Sequence, residues 1–319
     1  MSELDFIPIS VATLMPSSTV GLDLYQTEPD TGRLFLYRGA AYPLAAQDLG
    51  RLQQRGIKRL FIAKDSLARY QKYLRQVATA SPDDQRIPMH ARVAAMNEVV
   101  RDVLSQSLVA SDTQEAITAA AHLGKIIAQT ITNGDFASSD LFRVLHHDYT
   151  TFTHSANVAF YSAILAHQLG FCSHDVEQIT AGALLHDIGK LEISEAILCK
   201  PGRLNDAEYR EVKKHPLIGF RRLALRPEWG FGQLMIVYQH HERIDGKGYP
   251  VGCAGDEIHV WAKVCAVVDV FEALTSHRPY RPPMTKPKAL EIVNRDSGKA
   301  FDPEITACWN SIIQSDSSR

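Results

Sequence analysis

Paired cysteines, long hydrophobic runs and an excess of charge of one sign are all missing from this sequence of 319 residues. The cysteines are odd in number, scattered and never spaced as C-x-x-C, which argues against both a disulfide framework and a thiolate zinc site. We therefore expect them to be reduced and mostly buried. They are Cys172, Cys199, Cys253, Cys265 and Cys308.

The charge is nearly balanced, with a formal net charge of −2 and an isoelectric point near 6.7. A broad surface for duplex DNA or RNA is therefore not expected, because such a surface displaces many counterions with lysine and arginine. The N-terminal segment MSELDFIPIS has acidic residues and a proline where a secretory signal has positive charge and an apolar run. No stretch approaches the length that crosses a bilayer. These absences favour a cytoplasmic protein without membrane insertion.

The chain is long enough for two domains that each bury a core, and 45% of its residues are hydrophobic. Residues 1–76 are typical of a small α+β module. Two apolar segments, Val20–Tyr25 and Arg33–Tyr37, flank a turn, and Arg59–Ile62 offers a third strand after a short helix from Asp48. The module carries no recognisable chemistry, and we interpret it as a regulatory domain.

Residues 77–137 form a linker and a helical connector. After a polar, proline-containing break, apolar residues recur every three or four positions from about Pro88 to Thr130, as in two amphipathic helices. These helices are expected either to pair with a second copy, giving a homodimer through residues 88–130, or simply to cover the next domain.

Residues 138–319 read as helix after helix with short polar breaks and no alternating strand pattern. Helix boundaries are indicated by Gly170, by the capping pattern Asn205–Glu208 and by Pro216. The expected fold class is mainly α: an all-helical catalytic domain preceded by the small α+β domain and the connector.

Several histidines and aspartates of this helical domain fall at apolar helical positions. His154 lies on the row that continues through Val158, Tyr161 and Leu165, which is the inward face of a helix. A lone histidine there is usually a hydrogen-bonded core residue. His186 and Asp187 follow an apolar run, and a buried carboxylate needs an ion pair or a metal. Taken alone, this pair is equally consistent with a structural helix cap.

A second group of ligand-type residues follows along the chain. His240 and His241 end an apolar helix, and adjacent helical residues diverge by about 100°, so both can face one metal only near the helix end. Pro216 biases His215 away from the α region, which lets its imidazole turn inward. Asp269 lies in an otherwise apolar helix and requires a buried partner. Taken alone, His215 fits a surface position and Asp269 fits a core salt bridge.

Together, five histidines and two aspartates supply enough nitrogen and oxygen ligands for two divalent cations bridged by Asp187. The absence of sulfur and the presence of carboxylate disfavour structural zinc and suit iron or manganese.

Two dense runs, GALLHDIGK at 182–190 and HHERIDGKGYP at 240–250, carry a resemblance to a known family. The first resembles the signature of HD phosphohydrolases. The second, together with DVFEALTSHRPYR at 269–281, resembles the HD-GYP subgroup, which are bacterial phosphodiesterases of cyclic di-GMP. The resemblance runs from about Asp148 to Asp302.

The resemblance implies roles for particular residues. The metal ligands map onto His154, His186, Asp187, His215, His240, His241 and Asp269, and the phosphate-contacting cations onto Lys190, Arg278 and Arg281. Gly248 and Tyr249 belong to the loop that shapes the substrate mouth. Thr150 stands where some members carry a glutamate ligand for a third metal, which points to two metals here. Glu272 replaces the family's usual aspartate, a like-charge change.

The implied activity is metal-dependent hydrolysis of cyclic di-GMP to linear pGpG, with Asp187 and Lys190 as catalytic groups and at most slow cleavage onward to GMP. Two alternatives stay open on the sequence. One is a catalytically weak receptor that binds cyclic di-GMP and passes the signal through the 88–130 helices. The other is a phosphohydrolase of another nucleotide phosphoester, because no motif identifies base-reading groups.

Overall fold

The computed structural model describes residues 5–16, 20–28, 31–80, 84, 87–109, 113–133, 151–277 and 282–317. The chain divides into two compact units, and the division falls between Val99 and Val100 inside one long helix. The domain boundaries drawn from the sequence at residues 76 and 137 stay predictions.

The first unit contains a four-stranded sheet and two helices. The elements are β1 (Phe6–Ser10), β2 (Leu24–Thr27), β3 (Leu34–Arg38), α1 (Ala46–Gln54), β4 (Arg59–Ala63) and α2 (Leu67–Ala78). The strands lie in the order β1-β4-β2-β3, with antiparallel pairing between neighbours. The core of this unit is formed by leucine and isoleucine side chains, among them Leu24, Leu44, Leu60 and Ile62, which are at most 1% exposed.

The predicted α+β character of this unit is confirmed, although the sequence pattern did not reveal β1. That strand contains Pro8, which cannot donate a backbone hydrogen bond and so argues against a strand. β1 lies at the edge of the sheet, where proline is tolerated because one side of the strand is unpaired.

The predicted all-helical domain is also confirmed. Within the described part of the second unit, the regular elements are helical, and the capping box of Asn205 and Glu208 begins one of them as expected. The helices are α5 (Thr151–Gln168), α6 (Ser173–Leu184), α7 (Glu195–Leu198), α8 (Asp206–Val212), α9 (His215–Leu223), α10 (Phe231–Gln239), α11 (Val260–Thr275), α12 (Lys286–Arg295) and α13 (Pro303–Ser317), with a short 3-10 helix at Ile188–Glu192.

The two helices predicted as a connector are α3 (Met89–Val109) and α4 (Thr113–Asn133), close to the predicted range, and their role as a connector stays a prediction. α4 packs on α6, and a side chain at Gly124 would lie 2.9 Å from the backbone nitrogen of Ala181. The apolar row of α3 is buried within the single chain, since Val93, Val100 and Leu104 are 0% exposed. The row therefore needs no second copy to cover it.

An aromatic cluster fixes the helices that carry the polar residues of interest. The indole of Trp309 on α13 lies 5.5 Å from the ring of Tyr161 on α5 and 5.2 Å from the ring of Phe271 on α11, measured between centroids. All three side chains are at most 2% exposed. Burial of aromatic surface thus locks α5 against α11.

None of the described helices combines the length and the apolarity that a bilayer span requires. All five cysteines are free. The expectation that most of them are buried was wrong: only Cys265 is buried, while Cys172 and Cys199 are exposed.

Candidate metal centre

The seven ligand-type residues predicted from the sequence converge in the second unit. α5 brings His154, the turn after α6 brings His186 and Asp187, and α11 brings Asp269. His215 is the first residue of α9, and His240 and His241 directly follow α10. All are buried except His241, whose side chain is 24% exposed. Two sets have ligand atoms within 4.8 Å of one another: Asp187, His215, His240 and His241 in the first, and His154, His186 and Asp269 in the second.

Proline had been expected to keep His215 out of the helical region, and this detail was wrong. His215 is the first residue of α9, and Pro216 is the second. Proline fits the first turn of a helix because the missing N–H would have no partner there. The imidazole nevertheless turns inward as expected and is fully buried.

The carboxylate of Asp187 lies between the two sets. Its Oδ1 is 3.1 Å from Nε2 of His215 and 3.8 Å from Nε2 of His240. Its Oδ2 is 3.3 Å from Nε2 of His186 and 3.6 Å from Nε2 of His154. Each oxygen therefore faces a different histidine pair, which is the arrangement that a bridging carboxylate needs.

The histidines are oriented through their Nδ1 atoms. Nδ1 of His186 bonds to the carbonyl oxygen of Ala183 at 2.7 Å, and Nδ1 of His215 bonds to that of Val212 at 2.7 Å. Nδ1 of His240 bonds to the carbonyl oxygen of Ile236 at 3.0 Å. A carbonyl accepts only from N–H, so Nδ1 carries the proton and a neutral ring presents its Nε2 lone pair to the cluster.

Several Nε2 and carboxylate atoms lack the partners that burial normally demands. Among the residues that the structure describes, Nε2 of His186 and Oδ1 of Asp187 are buried and have no hydrogen-bond partner. Nε2 of His215 and Nε2 of His240 face each other at 3.2 Å. Two opposed lone pairs need a proton or a cation between them, and burial and the neighbouring histidines hold the pKa of His240 well below its usual value. The donor set therefore fits divalent cations.

The charges around the site are coupled. Burial alone would raise the pKa of Asp187, but Lys190 and the neighbouring histidines hold it well below its usual value. The pKa of Asp269 is likewise low in spite of burial, chiefly because of His154. Burial lowers the pKa of His241 to about 3. The cluster thus presents ionised carboxylates, and the imidazoles of His240 and His241 are neutral.

Glu272 is a functional candidate that sequence reasoning noted only as a like-charge replacement. Its Oε2 is 2.5 Å from Nδ1 of His154, and its Oε1 accepts hydrogen bonds from Nδ2 of Asn157 at 3.0 Å and from Oγ of Ser276 at 2.5 Å. The side chain is 1% exposed. Its spacing of three residues from Asp269 on α11, which places both on one helix face, was the available signal.

A cavity of about 450 Å³ opens beside the cluster. Lys190 and Tyr249, predicted to contact substrate, both line it, together with His154, His215, His241 and Asp269. Nζ of Lys190 donates to Oδ2 of Asp187 at 2.5 Å. The ring of Tyr249 stacks on that of His241 at 4.7 Å, and burial keeps its hydroxyl protonated by raising the pKa.

Gly248 does not line this cavity, and its backbone packs against another segment of the same loop. A side chain there would lie 2.5 Å from the backbone nitrogen of Arg243. The buried Glu242 ties the loop down, because its Oε1 accepts from the backbone N–H groups of Val251 at 2.7 Å and Gly252 at 3.0 Å. Gly248 and Glu242 therefore shape the loop that presents Tyr249.

Arg278, Arg281 and Thr150 lie outside the described residues. Their predicted roles stay predictions.

Comparison with known proteins places these residues in a family context. A family model described as "HD domain" matches residues 98–305. Cyclic di-GMP phosphodiesterase PA4108 of Pseudomonas aeruginosa is 31% identical over 284 residues, which cover 85% of this chain and 68% of that protein. 3'3'-cGAMP-specific phosphodiesterase 3 of Vibrio cholerae is 42% identical over 155 residues, which cover 48% of this chain and 33% of that protein.

The cyclic di-GMP phosphodiesterase response regulator RpfG of Xanthomonas campestris is 41% identical over 144 residues, 44% of this chain and 38% of that protein. The chain thus spans 33% and 38% of the length of two of these relatives. Among solved structures, Bd1817 of Bdellovibrio bacteriovorus, described as an HDG"Y"P protein, has a TM-score of 0.70 over 97% of this chain and 100% of that chain. At 20% identity, this match establishes likeness of fold.

Proposed function

We propose that this chain, which belongs to the HD domain family and to its HD-GYP group, hydrolyses a phosphodiester bond of cyclic di-GMP to give linear pGpG. The observation that carries the proposal is the position of Asp187. Its two carboxylate oxygens face two different sets of buried imidazoles beside an open cavity.

The proposed ligands of two divalent cations are His154, His186, Asp187, His215, His240, His241 and Asp269. HD domain phosphohydrolases are metal-dependent, and oxygen and imidazole donors without sulfur favour iron or manganese. When bound, such ions supply an acidified water as nucleophile and stabilise charge on the phosphoryl oxygens.

The chain's own side chains bind and orient the substrate. Lys190 lines the cavity and is proposed to contact a phosphoryl oxygen, since its ammonium already lies beside Asp187. The Tyr249 hydroxyl, kept protonated by burial, can donate a hydrogen bond to the substrate. Arg278 and Arg281 are proposed to hold the second phosphate through bidentate contacts.

The test is incubation of the full chain, purified without oxygen and supplied with iron(II) or manganese(II), with cyclic di-GMP, followed by chromatography of the products. We expect linear pGpG, and we expect chelator treatment to abolish its formation. His215→Ala should lose activity, whereas His174→Ala, an exposed histidine of α6, should keep it. Intact cyclic di-GMP after incubation with metal-loaded protein would contradict the proposal.

Two alternatives are outcomes of the same experiment. A receptor would bind cyclic di-GMP without cleaving it. An enzyme for another substrate would cleave a different compound, and 3'3'-cGAMP is the first to try because relatives with that specificity are up to 42% identical to this chain.

A further inference from the structure

Lys213 is a cation at the edge of the candidate active site. It caps the C-terminal end of α8, directly after Val212, which lines the cavity. Its Nζ lies over two aromatic rings, 5.2 Å from the centroid of Tyr209 and 5.8 Å from that of Tyr249. Tyr249 lines the same cavity, and its ring stacks on that of His241. The Lys213 ammonium therefore contacts a ring that itself contacts the histidine cluster.

The charge of Lys213 is not neutralised by the part of the chain that the structure describes, where it makes no ion pair. The neighbouring Lys214 behaves differently, because its Nζ donates to Oε1 of Glu211 at 2.6 Å and its side chain is 56% exposed. The two adjacent lysines thus differ in their partners. Lys214 forms an ion pair at the surface, whereas the ammonium of Lys213 contacts two aromatic rings beside the cavity.

Cation–π contacts hold an ammonium group in place without cancelling its charge. A lysine held in this way can still donate its three N–H groups to an anion. A cyclic dinucleotide carries two phosphates, so cleavage of one at the metal cluster leaves the other to be bound elsewhere along the cavity.

We propose that Lys213 binds the phosphate of the cyclic dinucleotide that is not being cleaved, with Tyr209 and Tyr249 as the residues that position its ammonium group. The inference rests on the proposed function. Charge-assisted hydrogen bonds to phosphate are among the strong ones.

The test compares Lys213→Met with Lys214→Met, which removes the same charge one residue away. We expect Lys213→Met to raise KM for cyclic di-GMP roughly tenfold, as loss of one charge-assisted contact predicts, with kcat changed less than about twofold. Lys214→Met should leave both constants near those of the unaltered chain. Metal content should be the same in all three proteins, and Lys213→Arg should restore most of the KM.

Equal KM values for Lys213→Met and Lys214→Met would overturn the inference while leaving the proposed hydrolysis intact. The dissociation constant of cyclic di-GMP, measured by titration calorimetry on the same metal-loaded proteins, separates the two claims. If the unaltered chain binds but does not cleave, the proposed hydrolysis fails, and weaker binding by Lys213→Met alone still supports the role of Lys213. If the unaltered chain does not bind cyclic di-GMP, both claims fall.

Discussion

At the scale of single residues, the candidate centre is built by hydrogen bonds that decide which ring nitrogen is free. Carbonyl oxygens hold Nδ1 of His186, His215 and His240, so the chain itself fixes the tautomer that leaves the Nε2 atom facing the cluster. His154 is held instead by a carboxylate, that of Glu272. A carboxylate behind a histidine raises its basicity as a metal ligand.

Because a carboxylate holds the His154 ring, Glu272 is expected to position that ring for metal binding, and this role can be tested. Glu272→Gln should weaken metal binding about 10- to 100-fold, the usual effect of losing such an outer partner, because the His154 ring loses its anchor and its negative neighbour. The measurement is metal affinity by competition with a chromogenic chelator. Glu177→Gln on α6 removes a carboxylate away from the cluster and should not change the affinity. An unchanged affinity in Glu272→Gln would show that Glu272 has no such role.

Most of the candidate centre was predictable because each candidate ligand is a polar residue at a position where the local pattern calls for an apolar one. A histidine or aspartate on an apolar helical row signals a buried partner, and this held for His154, His186, Asp187 and Asp269. Glu272 and Glu242 are buried as well, but Glu242 bonds to the backbone of Val251 and Gly252 in its own loop, and Glu272 bonds to Nδ1 of His154 on another helix. The spacing of Glu272 from Asp269 places both on one helix face, but it does not identify the partner, which is set by tertiary packing.

At the scale of elements, the position of His215 depends on how closely the turn at Ile188–Glu192 approaches α9. A side chain at Gly189 would collide with the carbonyl oxygen of His215 and would lie 2.7 Å from the backbone nitrogen of Gly219. Only the absence of a side chain lets the segment that carries Asp187 lie against the start of α9. The approach brings the Asp187 carboxylate to 3.1 Å from the His215 imidazole.

Gly189→Ala should therefore destabilise the fold by about 1–3 kcal/mol, as overpacking does, and should also weaken metal binding. The control is Gly230→Ala at the start of α10, where the backbone φ is −75° and the nearest atom is 3.7 Å away. That change should cost under about 1 kcal/mol. Both values come from urea unfolding followed by far-ultraviolet circular dichroism. Equal stability of the two variants would contradict the close packing at Gly189.

Sequence periodicity predicted the two long helices of the chain but did not predict the first strand. The helices of residues 88–130 followed from apolar spacing, because α3 and α4 each bury a continuous row. β1 did not follow, because a five-residue strand containing Pro8 has too short a pattern, and its place at the sheet edge is decided by pairing with β4.

At the scale of the whole molecule, burial of the α3 row removes the reason to expect dimerisation through it. The side chains of Val93, Val100 and Leu104 are already fully covered in one chain. We expect that any dimer seen in light scattering at micromolar concentration does not form through this row of α3. A stable dimer that is broken by Leu104→Glu without loss of helical content would contradict this expectation.

Asp187 is proposed to join two cations and so to make the chain a hydrolase. This role is tested by determining metal content and the rate of cyclic di-GMP cleavage on the same samples of the unaltered chain and of Asp187→Ala. We expect the variant to lose metal and cleavage together, because both histidine sets lose the carboxylate that faces them, while its circular dichroism stays helical. Full metal content and an unchanged rate in Asp187→Ala would contradict this role.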